Sequence, residues 1–167
     1  VPLCGSAGDR FGSGYLRLGD ISGDAVDDFA VHSPTASPSG IAQAGSIWLV
    51  DGASWAAGNN HVERFDGTSQ SQHLGAQIDF LRHSTGLYLA SFSPQAGSQA
   101  GQVWWAFVPH SGLTSEYTAQ FEGQVSEALG NSGSFLPNTS GLPPHLLASA
   151  PGAGRHLLLD ANARDGS

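Results

Sequence analysis

The feature that most restricts what this chain can become is an internal repeat. Three segments align: FGSGYLRLGDISGDAVDDFAVHSP from Phe11, LGAQIDFLRHSTGLYLASFSP from Leu74 and LGNSGSFLPNTSGLPPHLLASAP from Leu129. Each opens on an aromatic or aliphatic residue plus Gly, runs through a turn and closes on an apolar stretch ending in Pro. A Gly-led apolar run follows each one: GSIWLVDG, GQVWWAFVP and GRHLLLDA. A further strand precedes each opening, VPLCG, VERFDG and TAQFEG, in which Leu3, Phe65 and Phe121 hold equivalent places and Gly5, Gly67 and Gly123 follow two residues later.

The repeating unit is therefore about 55 to 65 residues long with four short strands, the size and strand count of a propeller blade. In the first unit, alternation and turn residues place strands near Tyr15 to Leu18, Asp28 to His32, Ser46 to Val50 and His61 to Phe65. Long amphipathic helical stretches are absent. Pro34, Pro94 and Pro151 sit just after the second strand of each unit, where a missing N–H costs little. The expected fold is all-β: about three four-stranded blades, incomplete at both ends. Residues 1–8 read as the last strand of a preceding blade and a linker, 9–67 as a first blade, 68–123 as a second, and 124–167 as a third lacking its outer strand. Three blades are too few to close a ring, and open edges invite pairing. The chain is expected to belong to a larger propeller, completed by the same precursor or by another chain.

Composition agrees with short strands and turns: 23 Gly, 9 Pro and only 12% charged residues. A domain of this length would bury about 70% of its unfolded surface. The net charge of −8 argues against nucleic acid and anionic membrane as partners and is compatible with a bound cation. No apolar run approaches the length of about 18 that spans a bilayer, and no charged-then-apolar leader stands at the N-terminus. With no methionine anywhere, the chain reads as a processed or trimmed piece. The sole cysteine, Cys4, has no internal partner for a disulfide, and Asn138-Thr139-Ser140 is a glycosylation acceptor triplet in a Pro/Gly-rich loop. Together these point to an extracellular or secreted setting.

The stretch richest in chemistry is GDISGDAVDDF, residues 19–29. Asp20, Ser22, Asp24 and Asp28 put oxygen side chains at alternate positions, the spacing of a chain curled around a hard cation. A Ca²⁺ ion takes six to eight oxygens, commonly mixing carboxylates with a main-chain carbonyl, here that of Val26. An EF-hand fails on spacing, since its twelfth position would be Val31 rather than Glu and its sixth is Ala25 rather than Gly. The competing reading is a surface turn whose Asp, Ser and Gly residues cap it by local hydrogen bonds.

The run from Phe11 to Pro34, with the following AGSIWLVDG, resembles the FG-GAP repeat of the integrin α-chain N-terminal propeller and of the C-terminal propeller of glycosylphosphatidylinositol-specific phospholipase D. The resemblance implies that Phe11-Gly12 opens the repeat and that the acidic loop binds calcium. It further implies a non-catalytic interaction or scaffold module whose ligand is a protein or glycolipid. Two other roles stay open: the propeller part of a secreted phospholipase D-like hydrolase, and a subunit of an extracellular assembly formed by strand pairing between chains. Two departures stand out. Ser22 is a neutral ligand where Asp or Asn is usual, and Ala25 stands where the family has Gly, costing about 1 kcal/mol if that position needs a positive φ. Repeats two and three keep Leu-Gly but carry no carboxylate in RHSTGLY or PNTSGLP.

No catalytic constellation is evident. The seven histidines show no zinc-like spacing and there is no G-x-S-x-G elbow. Trp48, Trp104 and Trp105 lie on apolar third strands and are expected to be blade-packing residues rather than a ligand platform, whereas Trp55, in a Gly/Ala-rich loop, is the better candidate for an exposed contact.

Overall fold

The structure is a computed structural model describing residues 7–59, 62–110, 113, 115, 117–137 and 144–160. Leu3, Cys4, Gly5, His61 and the Asn138 triplet lie outside the described residues. The chain forms three antiparallel sheets in sequence order. The first contains β1 (Gly14–Gly19), β2 (Asp28–Ser33), β3 (Ser46–Val50) and β4 (Val62–Asp66), in the order β1-β2-β3-β4. The second contains β5 (Gln77–His83), β6 (Gly86–Ser93), β7 (Gln102–Pro109) and β8 (Tyr117–Glu122), paired the same way. The third contains β9 (Gly133–Leu136), β10 (His145–Ala150) and β11 (Arg155–Asp160), with β10 in the centre. The expected strands of the first unit coincide with β1 to β4 to within one residue at each end.

Helix is confined to α1 (Gly52–Ala56), α2 (Ala96–Gln99) and two 3₁₀ turns. The first helix starts because Asp51 caps it, its carboxylate accepting the Ser54 N–H at 2.8 Å. Trp55 therefore sits on a helical turn rather than in a loop. It is 38% exposed and rests edge-on against Phe29, with ring centroids 6.4 Å apart.

The sheets stack face to face, with one apolar layer on each side of the second. Leu18, Ala30, Ile47 and Leu49 of the first sheet meet Leu87, Leu89, Trp104 and Val108 of the second. On the opposite face, Ala90, Phe92, Val103 and Trp105 meet Phe135, Leu146, Ala148 and Leu159 of the third. Burial on both faces is why β6 (GLYLASFS) and β7 (QVWWAFVP) read as nearly continuous apolar runs instead of alternating ones. Trp105 is wholly buried and stacks on Phe121 at 5.0 Å. Removing roughly 200 Å² of aromatic surface from water contributes about 5 kcal/mol.

The same joint connects each sheet to the next. Residues Arg10, His73 and Ala128 all have left-handed φ (52°, 55° and 51°), as do Gly12, Gly75 and Gly130 two residues on (75°, 88° and 78°). In the second and third units the apolar residue between them, Leu74 or Leu129, is thereby turned onto the preceding sheet. The Leu74 N–H donates to the Ala44 carbonyl at 2.9 Å, and the Leu129 N–H to that of Ala100 at 3.0 Å. Gly45 and Gly101 receive these turns through parallel bridges, and a Cβ on either would fall on the backbone of Leu74 or Leu129. Polar latches reinforce the joints: Gln72 Nε2 donates to Gln102 Oε1 at 2.5 Å, and Arg155 pairs with Glu127 at the matching place in the next joint.

Candidate metal centre

The acidic loop joins β1 to β2 and is organised by its own carboxylates. Asp20 Oδ1 accepts the N–H groups of Gly23 at 2.6 Å and Asp24 at 3.1 Å, and its Oδ2 accepts that of Ala25 at 3.0 Å. The Gly23 N–H above all, then those of Ala25 and Asp24 and the Arg82 charge, hold the Asp20 carboxyl below its usual range, with partial desolvation opposing. Asp24 Oδ1 accepts the Val26 N–H at 2.8 Å. Gly23 and Ala25 reach these positions with left-handed φ of 89° and 66°. The positive φ that would penalise Ala25 is present.

Asp28 has a different place. It is fully buried at the start of β2, where Oδ2 accepts the Ile21 and Ser22 N–H groups at 2.8 and 2.9 Å and Oδ1 accepts that of Gly52 at 3.0 Å. This carboxylate ties the loop entrance to the first turn of α1. Ser22 Oγ is buried without a hydrogen-bond partner. Val26 lies at the outer rim, 40% exposed.

Asp20 and Asp24 thus share one turn, Ser22 lies beside it, and Asp28 anchors it from below. Among the described residues no three His, Cys, Asp or Glu side chains converge into a group able to hold a metal ion. The donor chemistry nonetheless fits a hard cation. A carboxylate offers roughly four acceptor sites, so Asp20 and Asp28, with three N–H partners each, keep about one apiece, and Asp24 keeps more. The orphaned Ser22 hydroxyl adds a neutral oxygen that needs a partner.

Three residues that sequence reasoning passed over shape this site. Arg82 reaches across from β5, donating through Nε to the Leu18 carbonyl at 2.8 Å and through Nη2 to that of Asp20 at 2.9 Å. Nothing in the sequence signals this beyond a charge ending an apolar strand. Asp27 points outward and pairs with Arg17. Gly52, in the VDG that ends β3, packs so closely that a Cβ would fall on the Asp27 carbonyl oxygen. An Asp-Gly pair after an apolar strand is the signal that could have found it.

Neither a protein-family model nor a curated protein matches the chain. The corresponding turn of the second unit carries no carboxylate: His83 Nδ1 lies 2.9 Å from Thr85 Oγ1 there. Asp79, earlier on that strand, instead accepts the Ser134 hydroxyl at 2.7 Å and the Phe135 N–H at 3.1 Å, joining the second sheet to the third. Trp48, Trp104 and Trp105 are buried, with Phe11 edge-on to Trp48 at 4.9 Å and the Arg64 guanidinium 5.2 Å from its ring centre. No helix of the described residues is long and apolar enough to cross a membrane.

Proposed function

We propose that this chain is a segment of an FG-GAP-type β-propeller that serves as a non-catalytic, extracellular interaction or scaffold module, with Ca²⁺ held in the loop of its first sheet. The observation that carries the reading is the repeated joint. An apolar-Gly turn, flanked by left-handed residues, docks on the glycine that opens the third strand of the sheet before it, at Gly45 and again at Gly101. Blades stacked by one repeated joint are how a propeller is assembled.

The residues that would hold the ion are Asp20, Ser22, Asp24 and Asp28, with the main-chain carbonyl of Val26. Bound calcium would supply positive charge that offsets repulsion between the carboxylates and orders the turn. The protein's own contribution is a turn already shaped by Asp20 and a base fixed by Asp28. Calorimetric titration with Ca²⁺ and separately with Mg²⁺ tests this. Saturable binding of Ca²⁺, with Mg²⁺ much weaker, is expected, because a flexible all-protein cage meets magnesium's octahedral demand poorly. No heat of binding from either ion would remove the metal from the proposal.

A further inference from the structure

The second unit, whose own turn has lost its carboxylates, contributes to the acidic loop of the first. Counting from Phe11, Leu74 and Leu129, the ninth residue of the three repeats is Gly19, Arg82 and Pro137. Arg82, near the end of β5, lays its guanidinium over Gly19, its counterpart in the neighbouring sheet: a Cβ on that glycine would fall 2.4 Å from Nη2 and 2.8 Å from Cζ. Gly19 has a left-handed φ of 69° and sits at the irregularity where β1 pairs with β2. The carbonyls on either side of it accept from the same guanidinium, Leu18 from Nε at 2.8 Å and Asp20 from Nη2 at 2.9 Å. One rigid, planar fork thus fixes the two peptides that lead into the acidic loop. Pro137 has no side-chain donor, so the carboxylate-free turn of the second unit receives no such clamp from the matching place in the third.

An arginine beside several acids can act by its charge or by its geometry. The Gly23 N–H does most to lower the Asp20 carboxyl, desolvation opposes it, and the Arg82 charge has the smallest effect of the groups acting on it. Both bonds from the guanidinium go to main-chain oxygens. The peptide it holds is that of Asp20, the residue whose carboxylate in turn gathers the Gly23, Asp24 and Ala25 N–H groups. Geometry is therefore the larger of the two effects.

We propose that Arg82 is the positioning residue of the acidic loop, a clamp from the second sheet that sets the arrangement of Asp20, Ser22 and Asp24 and thereby the affinity of the first sheet for Ca²⁺. This inference rests on the metal reading of the loop, and it makes that affinity depend on a side chain from outside the loop's own repeat.

Amide hydrogen exchange in the presence of a chelator, together with calorimetric Ca²⁺ titration, of wild type, Arg82→Lys and Arg82→Gln is the test. Lysine keeps the charge but is a point donor on a flexible stem, and glutamine keeps an N–H donor without the charge. Positioning predicts that both variants speed exchange at Gly23, Asp24 and Ala25 and weaken Ca²⁺ binding at least about fivefold, as expected for one bond from a charged donor at a solvent-exposed site. Action by charge predicts instead that Arg82→Lys behaves as wild type and that Arg82→Gln binds Ca²⁺ more tightly, through relief of like-charge repulsion. Arg64→Lys, which alters a guanidinium paired with Asp66 elsewhere on the first sheet, should leave both readouts as in wild type. Unchanged loop exchange in Arg82→Lys, tighter binding by Arg82→Gln, or exchange raised equally through β6 and β7 would overturn the inference. A wild type that takes up no Ca²⁺ would remove the metal reading, and faster loop exchange in both variants would then still show Arg82 to be the clamp of the turn.

Discussion

Ala25→Gly isolates the backbone strain built into the acidic loop. Ala25 is exposed at φ 66°, and its N–H donates to Asp20 Oδ2. An L-residue held there costs roughly 1–2 kcal/mol, which glycine does not pay. Glycine in turn adds unfolded-state freedom worth roughly 0.4–1 kcal/mol. The net expectation is a gain of about 0.5–1 kcal/mol, or about 1–4 °C in Tm for a chain of this size. Urea unfolding in the presence of a chelator measures it without the metal. Ala57→Gly is the matched control: it is also exposed, but its φ of −79° gives glycine nothing to relieve, so that variant should lose stability. An Ala25→Gly protein that is no more stable than wild type, or that tracks Ala57→Gly, would show that the loop does not hold this turn in solution.

Three further expectations concern the frame around the loop. Gly101→Ala drives a Cβ into the backbone of Leu129 at a φ of 80° and should cost about 3 kcal/mol or more in chemical unfolding. Asp28→Asn offers an amide where three N–H groups, those of Ile21 and Gly52 buried and that of Ser22 part-buried, need acceptors, and should cost about 2–4 kcal/mol, read in the same assay. Burial depresses the His32 imidazole below its ordinary 6.5, partly offset by a hydrogen bond with the Gly75 backbone. The unfolded chain therefore binds this proton more readily. Stability from His32 should be complete above about pH 6.5 and be lost as pH falls through and below that value, and His32→Asn should flatten the profile there.

The sheets were legible because the strands are short and separated by turn residues, and because the repeat shows the pattern three times. The joint was only half legible. The sequence displays Phe-Gly and Leu-Gly, but not that the residues before them, Arg10, His73 and Ala128, also turn left-handed, since none is a residue type that requires it. In the loop, the alternate oxygens were visible, and so was the penalty at Ala25. The division of labour was not. Asp28 reads as a ligand at the end of a spaced series, and that its carboxylate also takes the Ile21, Ser22 and Gly52 N–H groups and so anchors the loop depends on α1 and β3 folding over it. Asp79 shows the same limit: an acid inside QIDFLRH is explained only by Ser134 and Phe135, which lie 55 and 56 residues further along.

Thermal unfolding with calcium and with chelator bears on whether this loop is a cation site. Bound Ca²⁺ should stabilise by RT ln(1 + [Ca²⁺]/Kd), about 2.7 kcal/mol at a hundredfold excess over Kd, or about 5–11 °C in Tm. Asp24→Ala should abolish that increment. Asp79→Ala should lower the baseline, because Ser134 and Phe135 lose their acceptor, while keeping the increment whole. If chelation leaves the wild-type Tm unchanged, GDISGDAVDDF is an acidic turn closed by its own backbone, and the calcium proposal is wrong.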